Sequence, residues 1–257
     1  MPRADRSAPR PDRRSASRRR APTATTILFV RHGATTTTGR ELPGRAPGLH
    51  LSDEGRRQAD DVAARIRAMA HPPASAPAPA DGNGASANGT TKRSRPKGTP
   101  VAAVYASPLE RTRETAAPIG AALGLDVLAD EGLVELDVGE WTGMELKAAY
   151  KRPEWATIQR YPSGFTFPGG ESFLAMQSRV VATVDRLRAA HPGQTIVAVS
   201  HADPIRALVA HAMGTHLDLF QRIVVSPCSL TAIAFGDGGP LVLTVNATGP
   251  AAAPVPS

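Results

Sequence analysis

A single cysteine, Cys228, stands in 257 residues. One thiol closes no intramolecular disulfide and builds no Cys-based metal cluster, so a disulfide framework is excluded. Aromatic residues make up only 4% of the chain, and none falls within the first 26 positions. No apolar run approaches the roughly 20 residues that a membrane span needs. The basic N-terminal segment does not read as an export signal, because the "ILFV" that follows it stops at Arg31, far short of an apolar signal core. The expected compartment is the cytoplasm, and no membrane partner is expected.

The body of the chain also lacks positive charge, although the formal net charge is +7. Residues 1–20 hold eight arginines against Asp5 and Asp12, and residues 71–100 hold Lys92, Arg93, Arg95 and Lys97 against Asp81. Taking these +6 and +3 from the total leaves −2 for everything else. The arm over 1–25 is rich in Arg, Pro, Ser and Ala, buries almost nothing and is expected to be disordered. With no aromatic side chain to stack on bases, it is a poor nucleic-acid arm, and nucleic acid is not the expected partner. Polyanion binding through the arm alone would depend steeply on salt.

One domain with appendages fits this length. The stretch from His71 to Pro100, rich in Pro, Gly, Ser and Asn, has no apolar period and reads as a disordered insertion. Apolar patterns resume on both sides of it, and neither flank alone would make a comfortable core. The expected organisation is therefore a domain over 26–250 carrying an insertion at 71–100, with a tail at 251–257. The sequence carries no signal for oligomeric state.

Short apolar runs mark strands at 26–30, 101–106, 126–129, 195–200, 230–235 and 241–246. Ala59, Val62, Ala63, Ile66 and Met69 recur at helical spacing after a Ser52-Asp53-Glu54 start. Phe173, Met176, Val180, Val181, Val184 and Leu187 do the same, and "HPG" at 191–193 closes that helix. Strands alternating with helices predict an α/β layered domain with a largely parallel sheet. The last two strands, joined around "GDGGP", predict a terminal hairpin.

Three strands run directly into polar residues: "TILFV" into Arg31-His32-Gly33, "VAAVYA" into "SPLERT" with Arg111, and "TIVAVS" into His201-Ala202-Asp203-Pro204. In a doubly wound sheet the ligand crevice lies beyond the carboxyl ends of the strands, so these exits can converge. Two histidines and two arginines at one point describe an anion site, and phosphate suits guanidinium forks and helix N-termini. Pro108 and Pro204 fit near the starts of the following helices. A neutral imidazole facing a phosphoryl group can attack it, and His32 is the candidate nucleophile. One carboxylic acid could protonate the leaving group and later activate water. "EGLVELDVGEWTG" supplies Glu131, Glu135, Asp137 and Glu140, among which spacing does not choose.

The motifs RHG, "SPLERTRETA", "ELDVGEWTG", "FPGGES" and "VSHADPIRAL" stand in an order that resembles the histidine phosphatase, or phosphoglycerate mutase-like, superfamily over about residues 26–246. The resemblance implies a three-layer α/β/α sandwich, a phosphohistidine intermediate, no cofactor and no metal. It places His32 as the phosphorylated residue, Arg31, Arg111 and His201 as a clamp on phosphoryl oxygens, and Glu135 as the proton donor. Where the family usually has Glu and Asn after RHG, this chain has Ala34, Thr35 and Thr38, and the threonine hydroxyls are expected to donate to phosphate. Ala202 stands where the family has glycine, and its backbone N–H is expected to contact substrate.

Glu135 is followed by Leu136-Asp137-Val138-Gly139 rather than the Arg-His-Tyr grip of the glycolytic mutases, which resembles the phosphatase-type branch. "GRAPGLHLSDEG" and "LDLFQRIVVSP" resemble an actinobacterial branch labelled phosphomutases, a label that is no evidence of mutase activity. The expected reaction is hydrolysis of a small phosphorylated metabolite; the alternatives are a phosphomutase and a non-catalytic scaffold for a phosphorylated ligand. The lid between Gly143 and Gly170 is expected to set specificity. Trp141, Trp155, Phe165 and Phe167 read equally as an apolar wall over the site or as ordinary packing. Glu171-Ser172 reads as a helix cap at least as well as a phosphate contact. Cys228 reads as a small buried hydrophobe.

Overall fold

The computed structural model describes residues 24–71 and 98–249. The expected disorder of the arm, the insertion and the tail falls on residues outside these, apart from the edges of the first two at 24–25, 71 and 98–100. Strand β1 (Thr25–Arg31) takes in Thr25, the last residue assigned to the arm. It is β-branched and apolar along most of its length, and every residue before Arg31 is buried. After β2 (Glu41–Leu42), Ser52 caps α1 (Asp53–Ala70) by accepting from the N–H of Gly55. Next come β3 (Val101–Ala106), α2 (Glu110–Leu123) and β4 (Val127–Ala129). Helix α2 runs through Pro118, at the loss of one backbone donor, and stops at Gly124 in the left-handed conformation (φ 68°).

A long, mostly irregular segment follows, with β5 (Met144–Glu145), α3 (Leu146–Ala149) and α4 (Trp155–Arg160). Ser172 then caps α5 (Phe173–Ala190), which leads to β6 (Thr195–Ser200), α6 (Ala202–Ala212) and the hairpin of β7 (Leu230–Gly236) and β8 (Gly239–Ala247). The six-stranded sheet has the order β4-β3-β6-β1-β7-β8. Its β4, β3, β6 and β1 are mutually parallel, and β7 and β8 are antiparallel additions. A separate ribbon pairs β2 with β5.

Alternation along β1 divides the core. Leu28 and Val30 face α1 and α2 through Val62, Ile66, Ala116 and Ile119. Ile27 and Phe29 face α5 and α6 through Val180, Val184, Leu187, Ile205 and Leu208. The result is the expected α/β/α sandwich. The lid's short elements and the β2–β5 ribbon show no readable period, because two to six residues are too few to establish one. Trp141, Phe165 and Phe167 stack edge-on within a buried cluster that includes Phe173 and Phe220, which is packing that holds the lid to α5 and α6. Trp155 lies at the margin of that cluster, against Tyr150. No helix among the described residues is long and apolar enough to cross a membrane.

Candidate functional site

Register brings three strand exits level with one another. Arg31 pairs with Ser200 across β1 and β6, and Ala106 with Val199 across β3 and β6. The ladder continues one residue further: His32 N–H donates to Ser200 O at 3.0 Å, and Ser107 N–H to Val199 O at 3.0 Å. His32, Ser107 and His201 therefore leave the sheet together. The rings of His32 and His201 meet edge to face with centroids 5.2 Å apart.

His32 is buried, and its Nδ1 donates to Gly33 O at 2.7 Å. A neutral imidazole carries one N–H, so this bond leaves the Nε2 lone pair free. Burial, then the charges of Arg111 and Arg31, push the imidazole down to about 3, so it is neutral at physiological pH. Gly33 in turn donates to Thr115 Oγ1 on α2 at 3.0 Å. A side chain at Gly33 would place Cβ 2.4 Å from Gly55 O, so α1 abuts the backbone beside the histidine.

Arg111 is fully buried at the start of α2, and its Nη2 donates to Gly44 O at 2.7 Å. Arg31 donates from Nη1 to Val225 O at 2.7 Å. Among the described residues, Arg31 Nε, Arg111 Nε and Nη1, and His201 Nδ1 are buried with no hydrogen-bond partner. Buried donors in such a state cost free energy that an anionic acceptor would recover. His201 Nε2 is 2.9 Å from Ser107 Oγ, and its pKa is lowered by burial and by His32, Arg111 and Arg31. His201 also stands at the N-cap of α6, whose first N–H groups have no intrahelical acceptor. Ala202 opens that helix.

Glu135 arrives from the irregular segment after β4. Its Oε2 is 3.9 Å from His201 Nδ1, and its Oε1 accepts from the N–H of Leu136 at 2.9 Å. Burial, with Asp203 adding to it, pushes its carboxyl up to about 7, against the opposing pull of the Leu136 N–H, Arg111 and Arg31. Of the four acids that spacing leaves open, Glu135 is the one that approaches His201. Thr35 and Thr38 are tied to each other: Thr38 Oγ1 accepts from Thr35 N–H at 2.8 Å and lies 3.0 Å from Thr35 Oγ1.

The carbonyls leading to Glu135 are each claimed from a distant element. Arg179 Nη1, on α5, donates to Gly132 O at 2.9 Å and to Val134 O at 3.0 Å. Ser200 Oγ donates to Leu133 O at 2.7 Å. Glu135 O accepts from Arg45 Nε at 2.8 Å and Arg179 Nη2 at 3.4 Å. Glu171 fastens both arginines, taking Arg179 through Nε and Nη2 at 3.0 and 2.9 Å and Arg45 Nη2 at 2.9 Å. Ser172 caps α5 as its position suggests, whereas Glu171 serves this network. Sequence reasoning missed Arg45, Arg179, Ser200 and Ser107. Arg179 looks like a solvated charge on an amphipathic helix; Ser107, opening "SPLERT" at a strand exit, carries the clearer signal.

Among the described residues no three His, Cys, Asp or Glu side chains gather closely enough to hold a metal ion. Cys228 is buried, its thiol pushed up to about 12 by burial.

The model of the histidine phosphatase superfamily (branch 1) matches residues 27–75 and 88–248. A bifunctional protein of Mycobacterium tuberculosis is 38% identical over 151 residues, 58% of this chain and 42% of that protein. The chain thus spans less than half the length of that relative. Phosphoserine phosphatase 1 of Hydrogenobacter thermophilus is 32% identical over 149 residues, 56% of this chain and 70% of that one. Among solved structures, a mycobacterial glucosyl-3-phosphoglycerate phosphatase superposes with a TM-score of 0.68 at 22% identity, over 87% of this chain and 99% of the other.

Proposed function

We propose, for a chain that belongs to the histidine phosphatase superfamily, that it hydrolyses the phosphomonoester of a small phosphorylated metabolite through a phosphohistidine at His32, without a metal. The observation that carries this reading is the free Nε2 of a buried neutral histidine set among four unpartnered buried donors on Arg31, Arg111 and His201. Arg31 and Arg111 hold the phosphoryl oxygens. With Ser107 Oγ donating to His201 Nε2, the His201 proton sits on Nδ1 and joins the clamp. The N-terminus of α6 at Ala202 adds backbone N–H groups for an anion.

The His32 Nε2 lone pair forms the N–P bond as the ester P–O bond breaks, and the Glu135 carboxyl passes its proton to the departing alkoxide. Glu135, now a carboxylate, takes a proton from water whose oxygen attacks phosphorus. The N–P bond breaks, inorganic phosphate leaves, and Glu135 is protonated again. A carboxyl pushed up to about 7 is well matched to both transfers near neutrality. Thr35 and Thr38, cross-linked by their hydroxyls, line the loop after His32 and offer one further donor to the bound group.

Phosphate release from a panel of sugar phosphates, phosphoglycerates, phosphoserine and p-nitrophenyl phosphate, in EDTA, tests the reading. Release that survives chelation and drops by on the order of 10⁴-fold or more in His32→Ala is expected. Undiminished release in His32→Ala would overturn it. Phosphorylated His32 that transfers to a second hydroxyl without releasing phosphate would replace hydrolysis by phosphomutase activity.

A further inference from the structure

The segment Glu131–Glu135 holds the proton donor, yet only a three-residue 3-10 turn, Glu131–Leu133, gives it regular structure. Its four carbonyls from Gly132 to Glu135 are all taken by side chains of β6, α5 and the β2–α1 loop. Arg179 accounts for three of these bonds, and its remaining donors lie on Glu171. Glu171 also accepts from Asp137 N–H at a long 3.5 Å, just past Glu135. Among the described residues, the Arg179 side chain therefore spends every hydrogen bond on this segment or on Glu171, and none on His32, Arg31, Arg111 or His201.

We propose that Arg179, buttressed by Glu171 and seconded by Arg45, is the positioning residue that aims the Glu135 carboxyl at the leaving oxygen of the substrate. The inference rests on Glu135 being the proton donor. Two guanidiniums meet on the Glu135 carbonyl from different elements, and the N–H of Leu136, the next residue in the chain, fixes one carboxyl oxygen. The carboxyl is thereby held at both ends of its own residue. A charge on helix α5 thus sets the geometry of proton transfer without touching the reacting atoms.

The signature of such a role is selective. Proton donation matters for an alkoxide, which leaves poorly, and little for p-nitrophenolate, which leaves unaided. The measurement is kcat/KM, which reports steps up to phosphoryl transfer, across alkyl and aryl phosphates in the full-length protein. Arg179→Gln is expected to lower alkyl phosphate turnover about 10–100-fold and aryl turnover much less, steepening the leaving-group dependence, with Arg179→Lys recovering part of the loss. An equal loss on all substrates, or no loss, overturns the proposal. Should Arg179→Gln fail to fold, Arg45→Gln, whose side chain is about one-third exposed, is read in its place. The same steepening is then expected, and an unchanged slope overturns the proposal. Glu135→Gln run alongside separates the two ideas: if it leaves the slope unchanged, Glu135 is not the donor, and the reading beneath the proposal fails first.

Discussion

His32 and Glu135 both lie against His201 but reach it by different structural means. His32 is delivered by a central strand, and its place follows from sheet register, with Arg31 opposite Ser200 and the ladder extended to its own N–H. Glu135 comes from a segment outside the sheet, and its place follows from side chains that reach in from β6, α5 and the β2–α1 loop. Backbone pairing places His32; side-chain to carbonyl bonds hold the segment that carries Glu135. The two halves shift in opposite directions and so share a neutral state, since burial drives the imidazole down to about 3 and the carboxyl up to about 7. A neutral base and a protonated acid then coexist over several pH units, which is the combination phosphoryl transfer to an imidazole needs.

The sharpest test removes the acid and leaves the strand half intact. Glu135→Gln is expected to lower kcat/KM for an alkyl phosphate by roughly 10²–10⁴-fold. In the unaltered protein, kcat/KM should fall as pH rises through about 7, where Glu135 loses its proton. The glutamine variant should lack that limb. If the limb survives unchanged, another group sets it.

A second test uses stability, because the two halves titrate with opposite signs. His32 and His201 have folded pKa values below the ordinary 6.5, so the unfolded chain binds protons more readily, and stability falls as pH drops from 6.5 towards 3. For His32 at pH 4.5 this amounts to about 2–3 kcal/mol. Glu135 has a raised folded value, so its contribution is complete below 4.5 and is lost as pH rises through about 7. Between pH 4.5 and 6.5 the two effects oppose each other, two histidines against one carboxyl. Thermal melts across this window should show stability rising with pH, less steeply in His32→Asn and more steeply in Glu135→Gln. Equal slopes in all three proteins would mean that these groups do not carry the linkage.

The same division decides what the sequence discloses. The six main strands, the capped starts of α1 and α5 and the exits carrying Arg31, His32, Arg111 and His201 can be read because period, cap and strand end are local signals. Glu135 is a different case: spacing leaves four acids open, and only the family resemblance singles it out. Arg179 and Arg45 are harder still, since nothing near them in sequence says that their targets lie 45 and 90 residues away. Ser200 ends a strand whose four central residues are apolar, and its hydroxyl is explained by Leu133 O, 67 residues distant. The lid aromatics read both ways because burial against α5 and α6 depends on a fold-back that no local pattern encodes.

The smallest effect comes from asking whether each half tolerates one added carbon. At Gly33 a new Cβ would sit 2.4 Å from the carbonyl oxygen of Gly55, a backbone atom that cannot be trimmed away. At Gly132 it would sit 1.8 Å from Thr183 Oγ1 and within 3.0 Å of two Thr183 carbons, all of them side-chain atoms. Overpacking of this kind costs roughly 1–3 kcal/mol, and each kcal/mol lowers Tm by about 2–4 °C for a chain of this size. Both Gly33→Ala and Gly132→Ala should therefore melt earlier, but only the second has a remedy. Thr183→Ala removes the closest atom and should recover part of the Gly132→Ala loss in a double-mutant cycle, while no side-chain truncation at position 55 is available to relieve Gly33→Ala. Full additivity of Gly132→Ala and Thr183→Ala would mean that the segment yields by moving its own backbone. In that event the carbonyl grip of Arg179 and Ser200 is looser than a ladder of paired strands, and the acid is the more mobile half of the site.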